Sequence, residues 1–150
     1  MRYSVETQIK LNKFVARPYQ IPIFDAIENK GYKKVMLIGP RRMGKDVLAF
    51  NVAIRYALEN VCVIYYCFPT FSLARRALWD NITIDGFRIL NYIPDEIIES
   101  TNEQQMRVKL RNGSIIQLIG SDNYNETLVG TNPKMIVFSE YALQDPMRCV

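Results

Sequence analysis

The chain has 150 residues, 49% hydrophobic and 23% charged, with a net charge of +4. That is enough for one domain with a proper core, in the composition of a soluble globular protein. Histidine is absent and the three cysteines, Cys62, Cys67 and Cys149, lack metal-ligand spacing, which excludes zinc chemistry and any histidine-based triad and predicts reduced thiols in a cytosolic setting. No apolar run approaches a membrane span, residues 1–10 are too polar for a signal peptide, and the mild positive charge favours an anionic partner, nucleic acid or nucleotide.

Residues 1–16 form an extended or helical lead-in without a strong pattern. Arg17-Pro18-Tyr19-Gln20 follows, then a short helix over 21–27. A glutamine amide can meet an adenine edge at two points and a tyrosine can stack on its ring, so Arg17, Tyr19 and Gln20 are candidate base-side residues; a helix start with a buried tyrosine would read the same way. Residues 34–38 are an apolar run with the look of a strand, and they lead into Gly39-Pro40-Arg41-Arg42-Met43-Gly44-Lys45-Asp46. Two glycines four residues apart followed by lysine, between a strand and a helix, is the pattern of a phosphate-binding loop. Glycines let the backbone curl so that N–H groups face phosphate oxygens, the helix start adds positive potential, and Lys45 would neutralise the β/γ-phosphates. The position after the lysine, where Ser or Thr usually meets Mg²⁺, holds Asp46.

The spacing of Val47, Phe50, Ile54, Ala57 and Leu58 predicts a helix over 45–59, covered on more than one side. Residues 61–68 are a continuous apolar run rich in β-formers, the mark of a strand buried on both faces of a parallel sheet. Thr70 would cap a helix over 71–81 carrying Arg75, Arg76 and Trp79, a solvated basic face with a half-buried tryptophan in preference to a DNA-tracking face. Short helical pieces are expected over 82–100, with Pro94 in a first turn. Met106, Val108 and Leu110 alternate with Arg107, Lys109 and Arg111, Asn112-Gly113 makes the turn and 114–119 return, a hairpin whose basic side reads as a solvated sheet face before a nucleic-acid face. After a polar loop over 120–133, residues 134–140 form a buried strand ending in Ser139 and Glu140. In a doubly wound sheet these would emerge at the edge where ligands gather, where Glu140 could orient or deprotonate the water attacking a γ-phosphate.

Taken in order, Arg17-Pro18-Tyr19-Gln20, the arginine-rich loop, Phe68-Pro69-Thr70 with residues 74–79, Asn112-Gly113-Ser114, Leu128-Val129-Gly130 and residues 136–142 resemble the N-terminal ATPase domain of tailed-phage terminase large subunits. The resemblance covers nearly the whole chain. It implies an α/β fold of the P-loop NTPase type, a parallel-core sheet flanked by helices with an inserted hairpin, forming a single domain over 1–150. It further implies an ATP-binding and ATP-hydrolysing motor that uses Mg²⁺ and drives double-stranded DNA into a prohead. The implied partners are a portal protein and a small terminase subunit, within a homo-oligomeric ring in the host cytoplasm, with no membrane role. Residue by residue, Gln20 would meet adenine, the loop and Lys45 the phosphates, and Glu140 the attacking water. Arg41, or alternatively Arg42, would be the charge-stabilising finger.

Two positions depart from that family's pattern. Asp46 stands where a hydroxyl is usual, and Ser139 where an aspartate usually precedes the catalytic glutamate. The expectation is a compensated exchange: Asp46 as anionic Mg²⁺ ligand and Ser139 hydrogen-bonded to it, since Mg²⁺ needs only one or two carboxylates besides phosphate and water. The resemblance also implies that a strand between residues 34–38 and 134–140, and a C-terminal nuclease, lie beyond this sequence. The sheet is therefore expected to be incomplete at its C-terminal side, with weak or no turnover from this piece alone. Competing readings are a helicase-like or restriction-type DNA translocase, disfavoured by the missing histidine after the acidic motif, and a non-catalytic nucleotide-binding module.

Overall fold

The computed structural model describes residue 11, residues 13–123 and residues 130–144. Within them, α1 (Ile21–Glu28) and α2 (Lys45–Glu59) precede β1 (Val63–Phe68), and α3 (Phe71–Ala74) continues into a wide π-turn, Arg75–Trp79. The strands β2 (Ile98–Asn102), β3 (Arg107–Leu110), β4 (Ile115–Gly120) and β5 (Met135–Phe138) complete one mixed sheet in the order β2-β3-β4-β1-β5. β4 and β5 flank β1 in parallel, whereas β2–β3 and β3–β4 are antiparallel. Among the described residues no helix is long and apolar enough to cross a membrane.

α2 is the central helix because apolar residues cover more than one of its faces. Phe50, Ala53, Ile54 and Ala57 join Ile64, Tyr66 and Phe68 of β1 in the main core. Leu48 and Val52, on another face, pack against Phe24 of α1. Each such fully buried Leu, Ile or Phe contributes roughly 1.5–3 kcal/mol of transfer free energy. Arg55 ties the two helices from outside, with both guanidinium bonds on the Glu28 carboxylate at 2.6 and 2.9 Å. β1 is buried on both faces as its unbroken apolar run predicted: Ile64, Tyr66 and Phe68 face the helices, while Tyr65 and Cys67 join Ile119 in a smaller cluster.

The Asn112-Gly113-Ser114 stretch does structural work. Leu110 and Ser114 close a three-residue turn with Gly113 at φ 96°, a backbone region where only glycine is unstrained. Asn112 Nδ2 donates to Ala57 O at 2.7 Å, and the fully buried Ser114 hydroxyl lies 2.8 Å from that oxygen and 3.1 Å from Asn60 O. The same hydroxyl accepts the Cys62 N–H at 3.2 Å. The hairpin tip thus satisfies carbonyls that the C-terminus of α2 cannot pair within the helix.

Several expectations are corrected. Residues 34–38 join no strand, and Ile38 is 87% exposed. An apolar run supplies side chains for a strand, but the backbone needs a ladder partner, and among the described residues β5 pairs only with β1. The hairpin is no separate insertion, because its return strand β4 is a member of the parallel core. The segment expected to be helical pieces over 82–100 holds short 3₁₀ turns at Ile89–Tyr92 and Asp95–Ile97, but it ends in β2, which pairs with β3. Pro94 precedes the second of those turns, and the helix expected over 71–81 ends at Trp79. Trp79 is fully buried, its indole N–H on the Glu103 carboxylate, with Arg75 donating to Glu103 O at 2.8 Å. On the hairpin, Lys109 pairs with Glu99 at 3.3 Å, as on a solvated sheet face. Thr70 does cap α3, accepting the Leu73 N–H at 3.1 Å. Leu128, Val129 and Cys149 lie outside the described residues.

Candidate functional site

The site forms where the C-terminal ends of β1 and β5 meet the first turn of α2. Gly44 opens that helix in the left-handed region at φ 79°, and Arg42 holds φ 63°. A non-glycine residue there costs roughly 1–2 kcal/mol, so the loop is held in shape against local preference. A Cβ on Gly39 would lie 2.0 Å from Met43 Sδ, so the Met43 thioether lies directly over this glycine. Lys45 Nζ donates to Gly39 O at 2.7 Å and Pro40 O at 3.3 Å, folding the ammonium back over the loop it belongs to. Arg41 and Arg42 are exposed.

The Arg17-Pro18-Tyr19-Gln20 stretch closes on the loop. Tyr19 OH donates to Met43 O at 3.0 Å and accepts from Arg17 Nη1 at 2.9 Å. Gln20 is 4% exposed, its Oε1 accepts the Arg17 N–H at 2.9 Å, and its Nε2 would lie 3.7 Å from a Cβ on Gly44. Oε1 keeps a second lone pair, so a two-point contact between this amide and an adenine would require the buried side chain to be uncovered but not the Arg17 N–H to be released.

Asp46 is the meeting point of the three elements. Ser139 Oγ, at the end of β5, donates to Asp46 Oδ1 at 2.7 Å. Tyr66 OH, from β1, donates to the same oxygen at 2.7 Å and lies 3.4 Å from Asp46 O. Among the described residues no donor reaches Oδ2. Burial, followed by the Asp46 carboxylate, pushes the Tyr66 phenol well above its ordinary range, so it remains a donor at any working pH. The Asp46–Ser139 contact expected from the sequence is therefore present, while a metal role is a separate matter. The described residues hold no group of three or more His, Cys, Asp or Glu that could cage a cation. A single carboxylate oxygen is nevertheless a donor that Mg²⁺ accepts, since that ion completes its shell with one or two carboxylates, phosphates and water.

Glu140 follows Ser139 directly and is exposed, at φ 52° and ψ 47°. β-strand geometry ends abruptly there, turning the glutamate out of the sheet. Strained backbone of this kind concentrates at functional positions. Two residues not singled out from the sequence support this corner. Tyr66 was hidden inside an apolar strand, where its hydroxyl gave no periodic signal. Gln144, 6% exposed, donates through Nε2 to Cys67 O at 3.0 Å and Ser139 O at 2.8 Å, pinning the ends of β1 and β5 together. Nothing in the local sequence marks it.

The geometry defines an α/β domain in which a glycine-rich loop opens a helix beside the ends of parallel strands. The chain is similar to the large terminase subunit of Escherichia phage T5, 29% identical over 126 residues, or 84% of this chain and 27% of the phage protein. It thus spans little more than a quarter of that relative. No family model and no solved structure matches. The similarity supports a terminase-like relationship.

Proposed function

We propose that the chain is the ATP-binding and ATP-hydrolysing part of a DNA-packaging terminase large subunit, of P-loop NTPase type. The observation that carries this reading is the Ser139–Asp46 hydrogen bond of 2.7 Å across 93 residues of sequence. It joins the residue after the loop lysine to the strand end that bears Glu140, in a chain similar to a phage terminase large subunit.

In this reading the loop from Gly39 to Asp46 holds the triphosphate, with Lys45 exchanging its bonds to Gly39 O and Pro40 O for phosphate oxygens. Arg41, or Arg42 in its place, stabilises charge that builds on the transferred phosphoryl group. Glu140 orients and deprotonates the attacking water. Asp46 would hold Mg²⁺ through Oδ2, with Ser139 as its partner. The bound ion would neutralise β/γ-phosphate charge. Tyr19 and Gln20 sit on the base side of the loop. Double-stranded DNA, a portal protein and a small terminase subunit are the partners, with assembly into a ring in the host cytoplasm.

The test is titration calorimetry with ATP and Mg²⁺, followed by turnover. Mg²⁺-dependent binding that Lys45→Ala removes without lowering the melting temperature is the expected result; folded wild type that ignores ATP refutes the reading. A second reading, a nucleotide-binding module without turnover, is favoured by one observation: residues 34–38 stand outside the sheet, so the loop lacks a strand to brace it. Binding without hydrolysis, even when portal-bearing proheads and DNA are supplied, would select it. Hydrolysis driven by DNA but indifferent to proheads would select a helicase-like translocase.

A further inference from the structure

We propose that Tyr66 is a positioning residue for the Asp46 carboxylate, fixing Oδ1 jointly with Ser139 so that Oδ2 is presented to the divalent cation of a bound nucleotide. The inference rests on the nucleotide reading above and goes beyond it, because Tyr66 itself need touch neither nucleotide nor metal.

Packing of the ring settles where the hydroxyl lies. Tyr66 is fully buried, its ring stacked on Phe68 at 5.4 Å between centroids and edge-on to Phe50 at 6.2 Å. A phenylalanine would fill the same space without placing a polar group in the core, where an unpaired hydroxyl is costly. Asp46 Oδ1, at 2.7 Å, is what makes that hydroxyl tolerable. The carboxylate gains in turn. An aspartate in the first turn of a helix is free to rotate toward the helix's own N–H groups or toward a neighbouring cation. Asp46 does neither among the described residues: the donors on its carboxylate are the Tyr66 and Ser139 hydroxyls, and Lys45 is turned onto Gly39 O. Two hydroxyl donors, Tyr66 on β1 and Ser139 just past β5, both on Oδ1, hold the carboxylate's torsion, and among the described residues no donor takes the lone pairs of Oδ2. Donors of this kind commonly set metal affinity through the ligand they orient.

The test is Tyr66→Phe, read by Mn²⁺ titration under electron paramagnetic resonance at saturating ATP, beside ATP affinity without metal and the melting temperature. The expected outcome is unchanged metal-free ATP affinity with a Mn²⁺ midpoint raised about 10-fold. In an Asp46→Asn background the same substitution should leave the midpoint where it was. A folded Tyr66→Phe with the wild-type midpoint overturns the inference alone, as does an equal shift in the Asp46→Asn background, since Tyr66 would then act by another route. Wild type that takes up neither ATP nor Mn²⁺ overturns the nucleotide reading and this inference with it. If Tyr66→Phe does not fold, Ser139→Ala removes the other donor to Oδ1: a raised midpoint supports the positioning role, and an unchanged one overturns it.

Discussion

Asp46 can be structural, metal-binding or both, and two substitutions separate these roles. Asp46→Ala removes the 2.7 Å acceptor of two hydroxyls, that of Ser139, which is 7% exposed, and that of the fully buried Tyr66, which keeps only its long 3.4 Å approach to the residue-46 carbonyl. Each buried hydroxyl left unpaired costs about 1–3 kcal/mol, so the pair predicts a loss of roughly 2–6 kcal/mol. In a chain of this size that lowers the melting temperature by about 5–20 °C. Asp46→Asn retains a carbonyl oxygen where Oδ1 lies, so both hydroxyls still have an acceptor. What is lost is the extra strength of bonding to a charged oxygen, about 1 kcal/mol in sum and roughly 2–4 °C. The asparagine, however, carries no charge for a cation. Its metal-free ATP affinity should match wild type, while the gain in affinity on adding Mg²⁺ should fall about 10-fold or more.

The assays are thermal unfolding by circular dichroism and calorimetric ATP titration with and without Mg²⁺. Equal melting of the two variants would refute the claim that Asp46 is the common acceptor. An Asp46→Asn protein that keeps the full Mg²⁺ effect would refute its role as a ligand, whatever its stability.

Three further outcomes test the scaffold. A Cβ on Gly120 would lie 2.3 Å from Phe71 N and 2.7 Å from Thr70 C, so Gly120→Ala should cost about 2–3 kcal/mol by forcing β4 and α3 apart. Gly39→Ala meets only the pliable Met43 side chain and should cost clearly less; the reverse order in urea unfolding would refute this. Ser114→Ala orphans the Cys62 N–H and one acceptor contact at the end of α2, leaving Ala57 O to Asn112, and should cost about 2–3 kcal/mol. A loss under about 0.5 kcal/mol would show water replacing the hydroxyl. Burial raises the phenols of both Tyr66 and Tyr92, with Asp46 and Asp85 adding to it. Their contribution is therefore complete below about pH 10 and declines above it, as unfolded tyrosines ionise while folded ones keep their protons. Phenolate absorbance should show a late-titrating component that Tyr66→Phe diminishes and Tyr92 keeps in part; a single transition near the ordinary value in wild type would refute it.

What the sequence made legible was whatever depends on local pattern. The bounds of α2, the strand in 61–68, the Thr70 cap and the Asn112-Gly113 turn are each written within a few residues, by periodicity, β-branching or backbone tolerance. The Asp46–Ser139 contact became legible for another reason: two chemically odd residues stood at positions whose usual occupants are partners, so each anomaly explained the other. Residues 34–38 and Tyr66 were misread or missed for the opposite reason. Whether an apolar run becomes a strand depends on a neighbour supplied from elsewhere in the chain, and among the described residues β5 offers none to 34–38. Tyr66 reads as one more apolar residue in a buried strand, and only the fold shows its hydroxyl meeting an aspartate twenty residues earlier, on a different element. The same distinction separates scaffold from chemistry at this corner. Thr70 and Ser114 satisfy backbone groups that any sequence with these helix ends would leave open. Tyr66 and Ser139 instead converge on one side-chain oxygen, a contact that both pairs two hydroxyls and fixes where the Asp46 carboxylate points, which is why Asp46→Asn and Asp46→Ala are needed to separate the two roles.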